Sequence, residues 1–576
     1  MPWLVLPAVV WMLIGCHAAA PPPGASRSLT DLARDYDREV APYFPFTASE
    51  SGLREYDRVL ANDIGETYRR GLLDVCTRYR HALTRLDPAR LDGGERVTYD
   101  VFLSRVSTCV EGFRFPWYLL PVNQVGSSWP SRFPILGAGR GQHPFKTVQN
   151  YEDFLGRVDG FVTWMDTAIA NMREGAARGV TQPRVLMERV LPQLDAHIVD
   201  DPTQSLFHEP LRAFPDAIDT ATRARLTAQY VDAIQNKIVP AYRRMRSFIA
   251  TEYLPRCRTT DGFDALPDGR AWYAHAVHTA TTTTLSADEI HEIGLGEVAR
   301  LSAAMAALRA EITATNEPGR PRYRSLESLL QGYAQLRADV DAALPRLFGR
   351  LPRAGFEIRP IEAFRERSMP SSYVAASPDG ARAGVFYLNT GDLRSDGGAG
   401  VLRNLYLHEA VPGHHLQIAL QRENTGLPGF RRFGSYVAFV EGWALYAEGL
   451  GVELGVYSNR WDRLGMLRAE HFRASRLVVD TGLHAKGWTR ERAMQYLGGA
   501  TPDNVREVER YMAWPGQALG YKIGQLKILA LRRKAEAALG GSFDVRAFHD
   551  ELLRDGALPL DVLEAKMERW LATQRR

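Results

Sequence analysis

From Ser28 onward the chain repeats apolar residues at three- and four-residue intervals almost without interruption, which commits it to a mainly α-helical fold. Residues 217–252 and 286–314 carry the pattern over their whole length, and the second opens on Ser286-Ala287-Asp288-Glu289, a capping box. One stretch breaks the rule. Residues 355–390 read FEIRPIEAF, SYVAASPDGARAG and VFYLNTGDL, rich in β-branched and aromatic residues with turn chemistry at Pro378-Asp379-Gly380. That stretch predicts a small antiparallel sheet with a hairpin, embedded in a helical body and followed by a helix from Val401. The hairpin strand 384–389 is also a candidate free edge for an extended peptide.

The first residues, MPWLVLPAVVWMLIGC, form an uncharged apolar run from Trp3 to Gly15 that is too short to cross a bilayer, where ~20 residues are needed. It suits a signal peptide over 1–15. Leu13-Ile14-Gly15-Cys16 resembles the bacterial lipobox, in which cleavage leaves the Cys acylated. The expectation is therefore a lipid-bilayer anchor through Cys16 and a Pro/Ala-rich tether over 16–29. His17 is not the Asp that retains lipoproteins at the inner membrane, so the expected address is the outer membrane facing the periplasm. Residues 30–576 are expected to form a single large helical domain, with room for two lobes around a cleft. Net charge is only +4, from 71 basic against 67 acidic side chains, with no basic run interleaved with aromatics, so no nucleic-acid partner is expected. Cys76, Cys109 and Cys257 lie in no CxxC; buried, inert thiols are the expectation, with one disulfide conceivable in an exported protein.

Three histidines precede a Glu, at 208, 291 and 408, so the dipeptide alone carries no information. His208-Glu209-Pro210 has no second His nearby, and His291 sits inside a capped amphipathic helix. His484 and the pair His275/His278 read as satisfied histidines in helical segments. The third dipeptide is different: His408-Glu409-Ala-Val-Pro412-Gly413-His414-His415 places three imidazoles and a carboxylate within eight residues. A hydrolytic zinc takes two neutral imidazoles and a third protein ligand, leaving one position open, while a nearby carboxylate acts as base. The usual second His stands four residues after the first, on the same helix face. Here Pro412 stands there, and His408 and His415 are two turns apart, ~10 Å along a regular helix. Proline and glycine permit a local bulge. A two-residue bulge delivers His414, and a three-residue bulge delivers His415. The third ligand must come from a second element, and Glu441 opens an apolar helical segment where an unpaired carboxylate would be costly. Glu448, seven residues on, lies on the same face and is placed to orient a ligand imidazole.

HEAVPGHHLQ, EGWALYAE at 441–448 and PGQALGYKIGQ at 515–525 together resemble the bacterial domain-of-unknown-function family 885, through most of residues 30–576. That family is grouped with the glutamate-zincin peptidases and resembles the mainly helical, deep-clefted enzymes typified by angiotensin-converting enzyme. The resemblance implies a zincin-like fold, Zn2+ held by His408, His414 and Glu441, Glu409 as general base, and His414 rather than His415 as ligand. It also implies a late tyrosine facing the oxyanion, Tyr521 in the first instance and Tyr511 in the second. The function expected is an exported zinc metallopeptidase with a peptide substrate. The alternatives are an inactive metal- or peptide-binding lipoprotein and a zinc hydrolase of other amides or esters.

Overall fold

The computed structural model describes residues 28–126, 128–139, 143–319, 323, 325–361, 371–378, 380, 382–390 and 398–575. The signal segment, Cys16 and most of the tether lie outside the described residues. The first helix, Leu29–Val40, begins at once, its Asp31 amide donating to the Ser28 hydroxyl at 3.1 Å.

The chain is mainly helical, with one small three-stranded sheet. The stretch 217–252 forms helices Thr220–Ala233 and Val239–Phe248, continued by wide π-turns at Ile234–Ile238 and Ile249–Tyr253. The first π-turn lets the helix pass Pro240, which has no amide to donate. The capping box at Ser286 forms reciprocally: the Ser286 amide donates to Glu289 at 2.8 Å and the Glu289 amide to Ser286 Oγ at 3.2 Å, opening helix Ala287–Ala314. This helix packs along Arg460–Ala485, while Val437–Leu450 packs along Gly520–Leu539. The second pair approaches so closely that a Cβ on Gly524 would lie 1.8 Å from the Ala438 carbonyl oxygen, so this crossing requires glycine.

The sheet comprises β1 (Phe356–Pro360), β2 (Ser372–Val374) and β3 (Gly384–Leu388), in the order β1-β3-β2. It is mixed, not antiparallel as expected. β2 and β3 pair antiparallel across the predicted turn, where Gly380 takes φ +71°, but β3 then inserts between β2 and β1 and runs parallel to β1. A second correction follows. β3 is the central strand, paired on both edges, and offers no free edge to a peptide. Its residues Val385, Phe386 and Leu388 are accordingly buried.

The largest apolar cluster joins the N-terminal helices, the sheet and the C-terminal third, and a second, from Leu60 to Cys257, forms around helix Val148–Ala177. Cys76 and Cys109 are not free thiols but a disulfide between neighbouring helices, with Cα atoms 6.3 Å apart. It closes a loop of 33 residues, a constraint on the unfolded chain of roughly 3–4 kcal/mol. Their pairing was not legible because the two helices meet only in three dimensions. Cys257 is free and buried, its thiol pushed up to about 12 by desolvation. Among the described residues no helix is long and apolar enough to cross a membrane.

Candidate metal centre

Helix Gly398–Glu409 stops one residue after His408, residues 410–413 turn, and a new helix, His414–Glu423, starts. The local geometry is thus a break between two helices, not the bulge within one helix that the spacing predicts. The Val411–Pro412 peptide is cis. The Trp443 indole donates to the Pro412 carbonyl at 2.8 Å, tying the turn to helix Val437–Leu450. Gly413 is obligatory, because a Cβ there would lie 1.9 Å from the His408 carbonyl oxygen and 2.3 Å from that of Leu407.

The break brings His408 and His414 together. Their rings are 4.7 Å apart and nearly perpendicular. Glu441, one turn inside Val437–Leu450 rather than at its opening, reaches between them: Oε2 lies 3.4 Å from His408 Nε2 and 3.5 Å from His414 Nε2. The three ligand atoms all lie within 4.8 Å of one another. Glu441 Oε2 is buried without a hydrogen-bond partner among the described residues, as is His414 Nδ1. Two imidazole nitrogens and a carboxylate oxygen, one of them unpartnered and aimed at the common centre, fit a cation of intermediate softness such as zinc. The side chain of Glu441 keeps 21% of its surface exposed against 6% for His408 and 11% for His414, so it is the most exposed of the three.

The charges in this group act on each other strongly. Burial opposes the charged form of Glu441, yet the two imidazoles hold its carboxyl well below the usual range. Burial opposes the imidazolium of His408, yet its contacts with Glu441 and Glu448 push it up to about 10.

Behind His408 stands Glu448, fully buried, with Oε1 2.8 Å from His408 Nδ1. Asn404 Nδ2 donates to the other oxygen of Glu448. The Tyr457 hydroxyl lies 2.9 Å from Asn404 Oδ1 and 2.8 Å from the Glu448 carbonyl. Sequence reasoning missed Asn404 and Tyr457. Asn404 stands four residues before His408, hence on the same helix face, and that spacing was a usable signal.

Glu409 is buried, 7% exposed, and desolvation raises its carboxyl pKa, partly offset by His414 and His408. His415 turns the other way. Its Nδ1 lies 2.8 Å from the Tyr373 hydroxyl on β2, its ring packs 4.6 Å from that of Phe356 on β1, and burial lowers its pKa to about 4. Tyr521 and Tyr511 both lie against Arg476, whose guanidinium is 4.8 Å from the first ring and 6.0 Å from the second. The Tyr521 hydroxyl lies 3.5 Å from Arg510 Nη2, whereas the Tyr511 hydroxyl donates to Glu507 at 2.8 Å and receives Arg476 Nε at 3.2 Å. His291 and His484 are buried and hydrogen-bonded, the first to Thr481 and the second to the Phe263 amide and the Tyr511 carbonyl.

Residues 45–567 match a bacterial family described as proteins of unknown function, DUF885. The chain belongs to this family. No similar sequence is found among curated proteins. Two solved structures are similar to this chain. One, named "putative lipoprotein from Colwellia psychrerythraea", is 29% identical with a TM-score of 0.86, covering 95% of this chain and 99% of that one. The other, a "putative lipoprotein of unknown function from Shewanella oneidensis", is 16% identical with a TM-score of 0.71 over 94% and 100%. The second likeness is one of fold alone.

Proposed function

We propose that this DUF885 protein is a zinc-dependent peptidase. The observation that carries the reading is the convergence of His408, His414 and Glu441 from three helices on one point, with the unpartnered Glu441 oxygen aimed at it. These three residues would hold the ion, which when bound supplies Lewis-acid polarisation of the scissile carbonyl. Glu409 takes the proton of the attacking water and passes it to the leaving amine; desolvation makes its carboxylate a stronger base than one in water. Glu448 keeps the proton of His408 on Nδ1 and leaves Nε2 free to ligate. Tyr521 is the phenol assigned here to the developing oxyanion, because the Tyr511 hydroxyl already donates to Glu507. The Leu13-Ile14-Gly15-Cys16 sequence, with the lipoprotein name of the similar Colwellia psychrerythraea structure, supports an acylated, envelope-anchored protein.

The test joins elemental analysis to digestion of a peptide library. About one zinc per chain is expected. Glu409→Gln should keep the metal and lose about two to four orders of magnitude in turnover. A metal-replete Glu409→Gln protein of undiminished activity would refute the assignment.

A further inference from the structure

One buried acid has no part in the chemistry above. Asp480, on helix Arg460–Ala485, is fully buried and forms no ion pair among the described residues; Arg510 acts on its charge only from a distance. A carboxylate so placed is costly unless hydrogen bonds hold it. Two donors do. The Tyr273 hydroxyl donates to Oδ1 at 2.6 Å, and the Gly516 amide lies 3.0 Å from Oδ1 and 3.2 Å from Oδ2.

Gly516 is the pivot between the two phenols. It stands between helix Pro502–Ala513, which carries Tyr511, and helix Gly520–Leu539, whose second residue is Tyr521. Its φ of +81° is a glycine conformation, and a Cβ there would lie 3.0 Å from the Ala276 carbonyl oxygen. At the far end of the same turn, a Cβ on Gly520 would lie 2.8 Å from Val437 Cγ1, and Val437 is one helical turn before Glu441. The turn is thus seated against the helix that carries the third candidate ligand.

Helix Arg460–Ala485 grips this segment with three side chains spaced one turn apart. The Arg476 guanidinium lies 4.8 Å from the centre of the Tyr521 ring, Asp480 accepts the Gly516 amide, and His484 Nε2 lies 3.0 Å from the Tyr511 carbonyl oxygen. Residues four apart share a helix face, so the three form the rungs of one ladder. Of the three, Asp480 alone holds the turn that decides where the helix of Tyr521 begins.

We propose that Asp480 is a positioning residue, which by fixing the Gly516 turn sets where the Tyr521 hydroxyl stands relative to the metal centre. A misplacement of ~1 Å can cost about a hundredfold in rate, so a carboxylate that never meets the substrate can still govern turnover. The proposal rests on the peptidase reading above.

The experiment is a double-mutant cycle on the zinc-loaded protein: Asp480→Asn, Tyr521→Phe and the two together, with kcat and KM measured on one cleaved peptide. Tyr521→Phe should lose about a hundredfold in kcat. Asp480→Asn should lose about ten- to a hundredfold in kcat, with KM held within about twofold. In the Tyr521→Phe background the same change should cost less than about threefold, because the group it positions is gone. Equal losses in both backgrounds overturn the proposal, and so does an unchanged kcat in Asp480→Asn. A fully active Tyr521→Phe overturns it too, while leaving the peptidase reading in place. A second readout needs no activity: fluorine NMR of a single fluorotyrosine at position 521, whose resonance should move or split in Asp480→Asn. If no peptide is cut, a displaced resonance upholds the positioning and refutes the peptidase, and an unmoved one refutes the positioning. Should Asp480→Asn fail to fold, Tyr273→Phe slackens the same carboxylate and replaces it in both measurements, with a loss of about three- to tenfold in kcat expected; an unchanged kcat and an unmoved resonance then overturn the proposal.

Discussion

Glu448 Oε1 stands 2.8 Å from His408 Nδ1, on the opposite side of the ring from Glu441. A hydrogen bond there fixes both the tautomer and the orientation of the imidazole. Glu448→Gln, which retains the shape but not the charge, should weaken zinc binding about 10- to 100-fold in a competition titration with a chromogenic chelator. Unchanged affinity would show that packing alone orients His408.

His414 and His415 are adjacent yet serve different neighbours. His414→Ala should abolish tight zinc binding. His415→Ala should keep the metal but lose its hydrogen bond to Tyr373 and its packing on Phe356, lowering stability by about 1–3 kcal/mol. Metal content and thermal midpoint, measured on the same two preparations, separate the roles. The opposite pattern would move the ligand to His415.

Acid should unfold the protein through buried histidines that are not among the three candidate ligands. Burial depresses His143, His197 and His549 to about 4 and His484 to about 3, from an ordinary 6.5. Below pH 6.5 the unfolded chain takes up protons that the folded chain refuses, so their contribution is complete above pH 6.5 and is lost as pH falls toward 4 and 3. Asp480 works against this over part of the range, because desolvation raises its buried carboxyl to about 7. The unfolding midpoint in urea should therefore fall from pH 7 to pH 5, with a net uptake of protons on unfolding. A midpoint that rises on acidification would contradict the assignment.

Cys16→Ser should release the protein from the membrane fraction, since no described helix can hold it there. Fractionation after a salt wash reads the result directly. Retention of the processed variant in the pellet would mean that another feature anchors it.

The helical body was legible because the 3.6-residue period is local, and so were the capped start at Ala287 and the hairpin turn at Gly380. The strand order was not, because the parallel pairing of Phe356–Pro360 with Gly384–Leu388 is non-local and has no hairpin turn to announce it. The roles of His414 and His415 could not be separated by counting bulged residues. What separates them is that Glu409 ends one helix and His414 begins another.

The interruption at Ala410–Gly413 has a mechanical consequence. In a motif carried by a single helix, both imidazoles ride on one rigid rod, and the ion adds little to what the backbone already enforces. Here each imidazole belongs to its own rod, and Glu441 to a third. A bound ion would lash the three together as a cross-brace, so its loss would be felt as slack at the elbow between them and, through His415 and Tyr373, along the outer strand of the sheet.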